Sequence, residues 1–161
     1  KSHAMTGWRI GWLIGPQQMI DHAQNLALVM VYGLPGFIQQ AAVTAFEEAD
    51  RIIADMRQVY RKRRDLMLAA LEEAPGIQAL RPEAGMFLMV DVRDSGVDSA
   101  TFARRLLQEQ GVSVLDASAF GRGGEGFVRL SYVSSEDQLA QACQRIVTFC
   151  RAYPGRKRAH G

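Results

Sequence analysis

The sequence predicts an α/β fold: a strand and helices belonging to one domain, then a small α/β C-terminal domain. Three patterns carry this. Apolar residues recur at helical spacing through residues 50–73. Short apolar runs at 85–92, 112–115 and 127–133 alternate with helical stretches, as in layered α/β domains. Near the start, apolar residues alternate with glycine and arginine at the period of two that marks a strand.

The elements follow in order. Residues 5–15 read as a strand, with Trp8, Ile10, Trp12 and Ile14 alternating with Gly7, Arg9, Gly11 and Gly15. Pro16 ends it and suits the first turn of a helix. Over 17–31, Met19, Ile20, Ala23, Leu26, Ala27 and Met30 fall at helical spacing. The stretch Gly33-Leu34-Pro35-Gly36 breaks that helix, and a second covers 37–48. From 50 to 73, Ile52, Met56, Val59, Leu66 and Ala70 line one face of a long helix. At ~1.5 Å per residue it is ~35 Å long, enough to connect two domains. Ala74-Pro75-Gly76 stops it. Residues 85–92 form a strand, and 99–110 a helix with Asp98 or Ser99 as N-cap and Gly111 past its end. Short strands follow at 112–115 and 127–133. Ser134-Ser135-Glu136-Asp137 then opens a helix running to about Tyr153. The domain boundaries that result are 1–49, a linking helix at 50–74, a small domain at 75–153, and a basic, disordered tail at 154–161.

Bulk properties exclude several functions. A chain of 161 residues can bury one full core. Apolar residues at 48% and charged residues at 22% are ordinary for a globular protein. No apolar run approaches the ~20 residues that span a bilayer. A net charge of +2 gives no reason to expect a nucleic-acid partner. Cys143 and Cys150 lie two helical turns apart, too far for a bridge, which favours a reduced, cytoplasmic protein. His3, His22 and His160 are scattered, so no metal site is expected.

Several residues carry possible chemistry. On a strand Arg9 shares its face with Gly7 and Gly11, whose missing side chains leave a hollow around the guanidinium. An arginine there can grip a phosphate with parallel hydrogen bonds; the alternative is an edge arginine facing solvent. Lys1 presents an amine, though most lysines are merely solvated. In 127–133, Val128, Leu130 and Tyr132 share the core face, which aims Arg129 at a cleft or at solvent. Gly85 lets the backbone lie close to a ligand, or else makes a plain turn. Arg57, Arg61, Lys62, Arg63 and Arg64 read as a solvated helix face. The glycine-rich stretch 118–126 lacks the strand-then-helix context of a phosphate cradle and reads as a mobile loop.

The opening run KSHAMTGWRIGW resembles the cofactor-lysine segment of the class I aminotransferases, Ser-Lys-x-x-x-Met-x-Gly-x-Arg-x-Gly. Lys1, Met5, Gly7, Arg9 and Gly11 fall in register with it. A chain opening at that lysine, without initiator methionine, reads as the C-terminal portion of a longer fold-type I enzyme. Residues 1–49 then end its large cofactor-binding domain. The resemblance implies pyridoxal 5′-phosphate as cofactor and a full-length homodimer. It makes Lys1 the catalytic amine that bonds the cofactor, and Arg9 the grip on its phosphate. Arg129, in Arg-Leu-Ser, resembles the arginine that holds the substrate α-carboxylate. Pro82 to Phe87 resembles the entry to the first small-domain strand, with Gly85 near substrate. Tyr32 and Gly33 lie where the family lends residues to the neighbouring subunit's pocket, although a core tyrosine is the simpler alternative.

The implied reaction moves an amino group from an L-amino acid, arginine being a candidate, to a 2-oxo acid such as pyruvate. Alternatives are a β-lyase of the same fold type, an aminotransferase-like sensor domain of a transcription regulator, and an interaction domain built on the basic helix. The large domain's other cofactor contacts cannot be found in this sequence, so the 161 residues alone are expected to be inactive.

Overall fold

The computed structural model describes residues 2–153. Lys1 and the basic tail at 154–161 lie outside the described residues. The chain divides into two compact units, 1–59 and 60–161.

The first unit holds helices α1 (Gln17–Val31) and α2 (Gly36–Glu47) and the start of α3 (Ala49–Leu71). Pro16 and Pro35 occupy the N-cap positions of α1 and α2, where a missing backbone N–H costs nothing. The strand expected at 5–15 is not formed. A 3-10 turn spans Thr6–Trp8, and the backbone from Arg9 to Pro16 is irregular. A strand exists only through its ladder partners, and the described residues of this unit contain none. Ala42 is the buried apolar residue of this unit. Around it, the Phe46 ring meets Trp12 edge-on at 5.1 Å and His3 at 5.0 Å.

The second unit is built on a four-stranded antiparallel sheet of order β1-β2-β4-β3. Its strands are β1 (Gln78–Leu80), β2 (Phe87–Asp91), β3 (Leu115–Asp116) and β4 (Phe127–Ser131). β1 escaped sequence analysis because three residues show no periodicity. β3 is shorter than the run expected at 112–115, and begins at its last residue. Helices α4 (Ser99–Gln110) and α5 (Glu136–Ala152) complete the unit.

Leu88 and Val90 of β2 face inward with Val128 and Leu130 of β4, as strand alternation requires. Met67 and Leu71 of α3, Phe102 and Leu106 of α4, and Ile146 and Phe149 of α5 close the core. Each such side chain contributes ~1.5–3 kcal/mol by leaving water. Phe102 and Phe149 meet edge-to-face at 5.2 Å, as do Tyr60 and Tyr132 at 5.9 Å.

Two expectations need correction here. Residues 118–126, read as loop, contain local structure: 3-10 turns span Ala117–Phe120 and Arg122–Gly124, and Gly124 is buried. The basic stretch of α3 is not uniformly solvated. Arg63 donates to Val133 O at 2.9 Å, Arg64 is mostly buried beside Asp65, and Lys62 pairs with Glu136 at 2.8 Å. Arg57 and Arg61 do face solvent.

Candidate functional site

Arg9 ends the Thr6–Trp8 turn in the left-handed region, at φ 55° and ψ 35°. Its Nη1 donates to Thr6 O at 3.0 Å, which fixes the side chain across its own turn. Gly7, Trp8, Arg9 and Gly11 line a cavity of about 860 Å³, together with Gly33 and Phe37. The hollow expected around Arg9 is therefore present, but a tight turn makes it rather than a strand face. A side chain at Gly7, Gly11 or Gly33 would meet nothing within 4 Å, so the space beside the guanidinium is open.

The first turn of α2 also borders this cavity, through Pro35, Phe37 and Ile38. A helix N-terminus carries unpaired N–H groups and a partial positive charge. One guanidinium and one helix N-terminus bordering a single cavity fit a bound phosphate.

Tyr32 follows α1 at φ 60° and ψ −42°, near the uncommon γ-turn, with Gly33 N bonded to Val31 O at 2.6 Å. It is 88% exposed in this chain. Its neighbours Val31 and Gly33 line the Arg9 cavity.

In the second unit, Gly85 sits at φ +87°, a conformation that a side chain rarely adopts. Space is not its constraint, because an added Cβ meets nothing within 4 Å. The buried Tyr132 Oη donates to Gly85 O at 3.0 Å, and Tyr132 N donates to Met86 O at 3.1 Å. Burial raises the Tyr132 phenol above its ordinary value, which keeps it a donor.

Arg129 lies on β4 opposite Met89 of β2 and Leu115 of β3. It projects on the non-core face, as alternation predicted. Its Cζ lies 4.1 Å from the centre of the Phe87 ring and 4.6 Å from that of Phe120. Among the described residues, no acid or carbonyl accepts a hydrogen bond from it. Its donors thus remain available for an external carboxylate. Sequence reasoning missed the two rings. Phe87 was legible only as a residue of the strand expected at 85–92, and Phe120 was hidden in a stretch read as loop.

The predicted residues therefore fall into two groups. Arg9 and Tyr32 belong to the first unit, Gly85 and Arg129 to the second. Lys1 lies outside the described residues. Among the described residues there is no cluster of His, Cys, Asp or Glu able to hold a metal ion. No described helix is long and apolar enough to cross a membrane. Cys143 and Cys150 are buried and unbridged.

Comparison with known proteins adds to this geometry. The family model for aminotransferase class I and II matches residues 1–146. Arginine–pyruvate transaminase of Pseudomonas aeruginosa is 51% identical over 146 residues, covering 91% of this chain and 37% of that protein. Aspartate aminotransferase of Pyrococcus horikoshii is 34% identical, covering 91% and 38%. Among solved structures, the aromatic aminotransferase of Pyrococcus horikoshii matches with a TM-score of 0.85 at 32% identity, over 94% of this chain and 41% of that one. Thermus thermophilus aspartate aminotransferase with maleate matches at 0.79 and 35%, over 92% and 38%. The chain thus spans 37% and 38% of the length of these two curated relatives.

Proposed function

This chain belongs to the aminotransferase class I and II family, with the α/β fold of the matching part of its members, and on that footing we propose a function. The full-length protein transfers an amino group from an L-amino acid to a 2-oxo acid, with pyridoxal 5′-phosphate as cofactor. Arginine and pyruvate are the first substrates to test, given the 51% identity to a transaminase named for them. The observation that carries the reading is Arg9, which stands eight residues after Lys1 and lines an open, glycine-walled cavity.

When bound, the cofactor supplies an electron sink for the pair released at the substrate Cα. The chain's own residues do the rest. Arg9 gives one donor to Thr6 O and would offer its remaining N–H groups to the phosphate. Gly7 and Gly11 keep the approach to it clear of side chains. Lys1 would hold the cofactor, and its amine would carry the proton from the substrate Cα to the cofactor. Arg129 binds the α-carboxylate and so orients the Cα–H bond. Gly85 leaves room beside that carboxylate, and Tyr132 pins its backbone. In a cytoplasmic homodimer, the exposed Tyr32 serves the neighbouring subunit's pocket. The two unbridged thiols suit a reducing compartment.

The test uses the full-length protein loaded with pyridoxal 5′-phosphate. Arginine and pyruvate should yield alanine and the 2-oxo acid of arginine, by product analysis. Borohydride reduction followed by peptide mapping should label Lys1. A label on another lysine overturns its role. Pyruvate and ammonia released from a cysteine conjugate, without transamination, would establish a β-lyase instead.

A further inference from the structure

The arginine assigned to the substrate carboxylate does not stand alone on its strand. Phe87 is held by β2, in a sheet whose register is fixed through Phe87↔Ser131 and Met89↔Arg129. Phe120 comes from elsewhere, at the end of the Ala117–Phe120 turn. It is 61% exposed, so core packing does not explain its ring. The ring lies against the Arg129 guanidinium, at 4.6 Å.

The segment that presents Phe120 is firmly built. Asp116 accepts from Ser118 N at 3.2 Å and from Ser118 Oγ at 2.6 Å, which caps the first turn. Gly121 N donates to Ser118 O at 3.0 Å, and Gly124 N donates to Gly121 O at 2.9 Å. Gly121 takes φ +107°, open to glycine and strained for other residues, directly after the ring. Gly124 lies so close to Ala117 O that any side chain would collide with it. Three glycine and serine devices thus fix where one exposed aromatic points.

Resting on the carboxylate role of Arg129, we propose that Phe120 is a positioning residue for it. With Phe87, it holds the guanidinium against two rings and so sets the affinity for the α-carboxylate. The physical reason is that a ring attracts a cation through its π face and accepts no N–H hydrogen bond in doing so. An arginine oriented by an acid would have donors occupied and its charge offset. An arginine oriented by two rings keeps its charge and its donors, while losing rotamer freedom before the substrate arrives. Less entropy is then lost on binding.

Amino donor and 2-oxo acceptor share the α-carboxylate, so the signature is a parallel change in both KM values. In the full-length holoenzyme, Phe120→Leu should raise both KM values about fivefold, in line with one exposed cation–π contact. It should lower kcat much less. Phe120→Tyr keeps the ring and should restore both KM values. Arg129→Lys should raise both further, since an ammonium cannot make the bidentate pair. Unchanged KM values in Phe120→Leu, alongside raised values in Arg129→Lys, overturn the positioning role and leave the carboxylate role standing. Unchanged values in Arg129→Lys overturn both. If Phe120→Leu loses folded protein, the Phe120→Tyr and Phe120→Trp pair decides, because parental KM values in either require only an aromatic face, and raised values in both overturn the role.

Discussion

Gly124 is the position where one methyl group does most harm. A Cβ there would lie 2.0 Å from Ala117 O and 2.7 Å from Ala117 C, both backbone atoms that cannot swing aside. Gly124→Ala must therefore open the paired 3-10 turns. A loss of at least ~1–3 kcal/mol is expected, the usual range for overpacking, read as a lower urea midpoint. An unchanged midpoint would mean the turns are not packed as described. The two thiols give a second test at this scale. Burial pushes Cys143 up to about 11 and Cys150 up to about 12, from an ordinary 9.0. Both stay protonated and shielded at pH 8, so a thiol reagent should label neither until denaturant is added. Because the folded pKa values are raised, the associated stability is full below pH 9. It is lost as pH rises from there through the folded values.

At the scale of elements, α4 shows how a local signal fixes a boundary. Asp98 accepts from Thr101 N at 2.8 Å and from Thr101 Oγ1 at 2.9 Å, closing the first turn. Those hydrogen bonds hold its carboxyl below the ordinary value. Asp98→Ala should lower the urea midpoint, and Asp98→Asn much less, by equilibrium unfolding near pH 7. With a lowered pKa, the cap's contribution is present above the unfolded value of 3.8 and fades as pH falls through the folded one. Such caps are written in the sequence: α4 is capped by Asp98, one of the two residues expected there, and α5 by Ser135, within the run Ser134–Asp137. The same holds for β2 and β4, whose alternation showed which face of β4 carries Arg129. The strand expected at 5–15 shows the limit of that reasoning. Its alternation is real, yet a ladder needs a partner that alternation does not supply. Phe120 marks another limit, because its meeting with Arg129 joins a turn to a strand through the sheet register. Gly85 was legible as a special backbone position, and Tyr132 as a core residue, but not the hydrogen bond between them.

At the scale of the whole molecule, the two units differ in how much they bury. The second has a continuous core in which Leu88, Val92, Leu106 and Cys143 are wholly buried. In the first, α1 has no buried residue, and Ile14, Val29, Met30 and Phe37 are each at least 70% exposed. Burial of an apolar face, more than intrinsic propensity, is what stabilises a helix of this length. Local opening should therefore be much easier in α1 than in β2, β4 or α5. Hydrogen exchange on the 161-residue chain should show α1 amides exchanging at least a hundredfold faster than those of β4, on the order expected for a difference of a few kcal/mol. Equal protection in the two would overturn this reading. The exposed side chains also form an apolar surface of the kind that drives association. The isolated chain should bind a hydrophobic dye and sediment as larger species at higher concentration. Val29→Lys with Phe37→Ser should reduce both effects while leaving the near-ultraviolet circular dichroism of the second unit in place. If dye binding persists undiminished in that double variant, the surface lies elsewhere and the contrast between the units is not its cause.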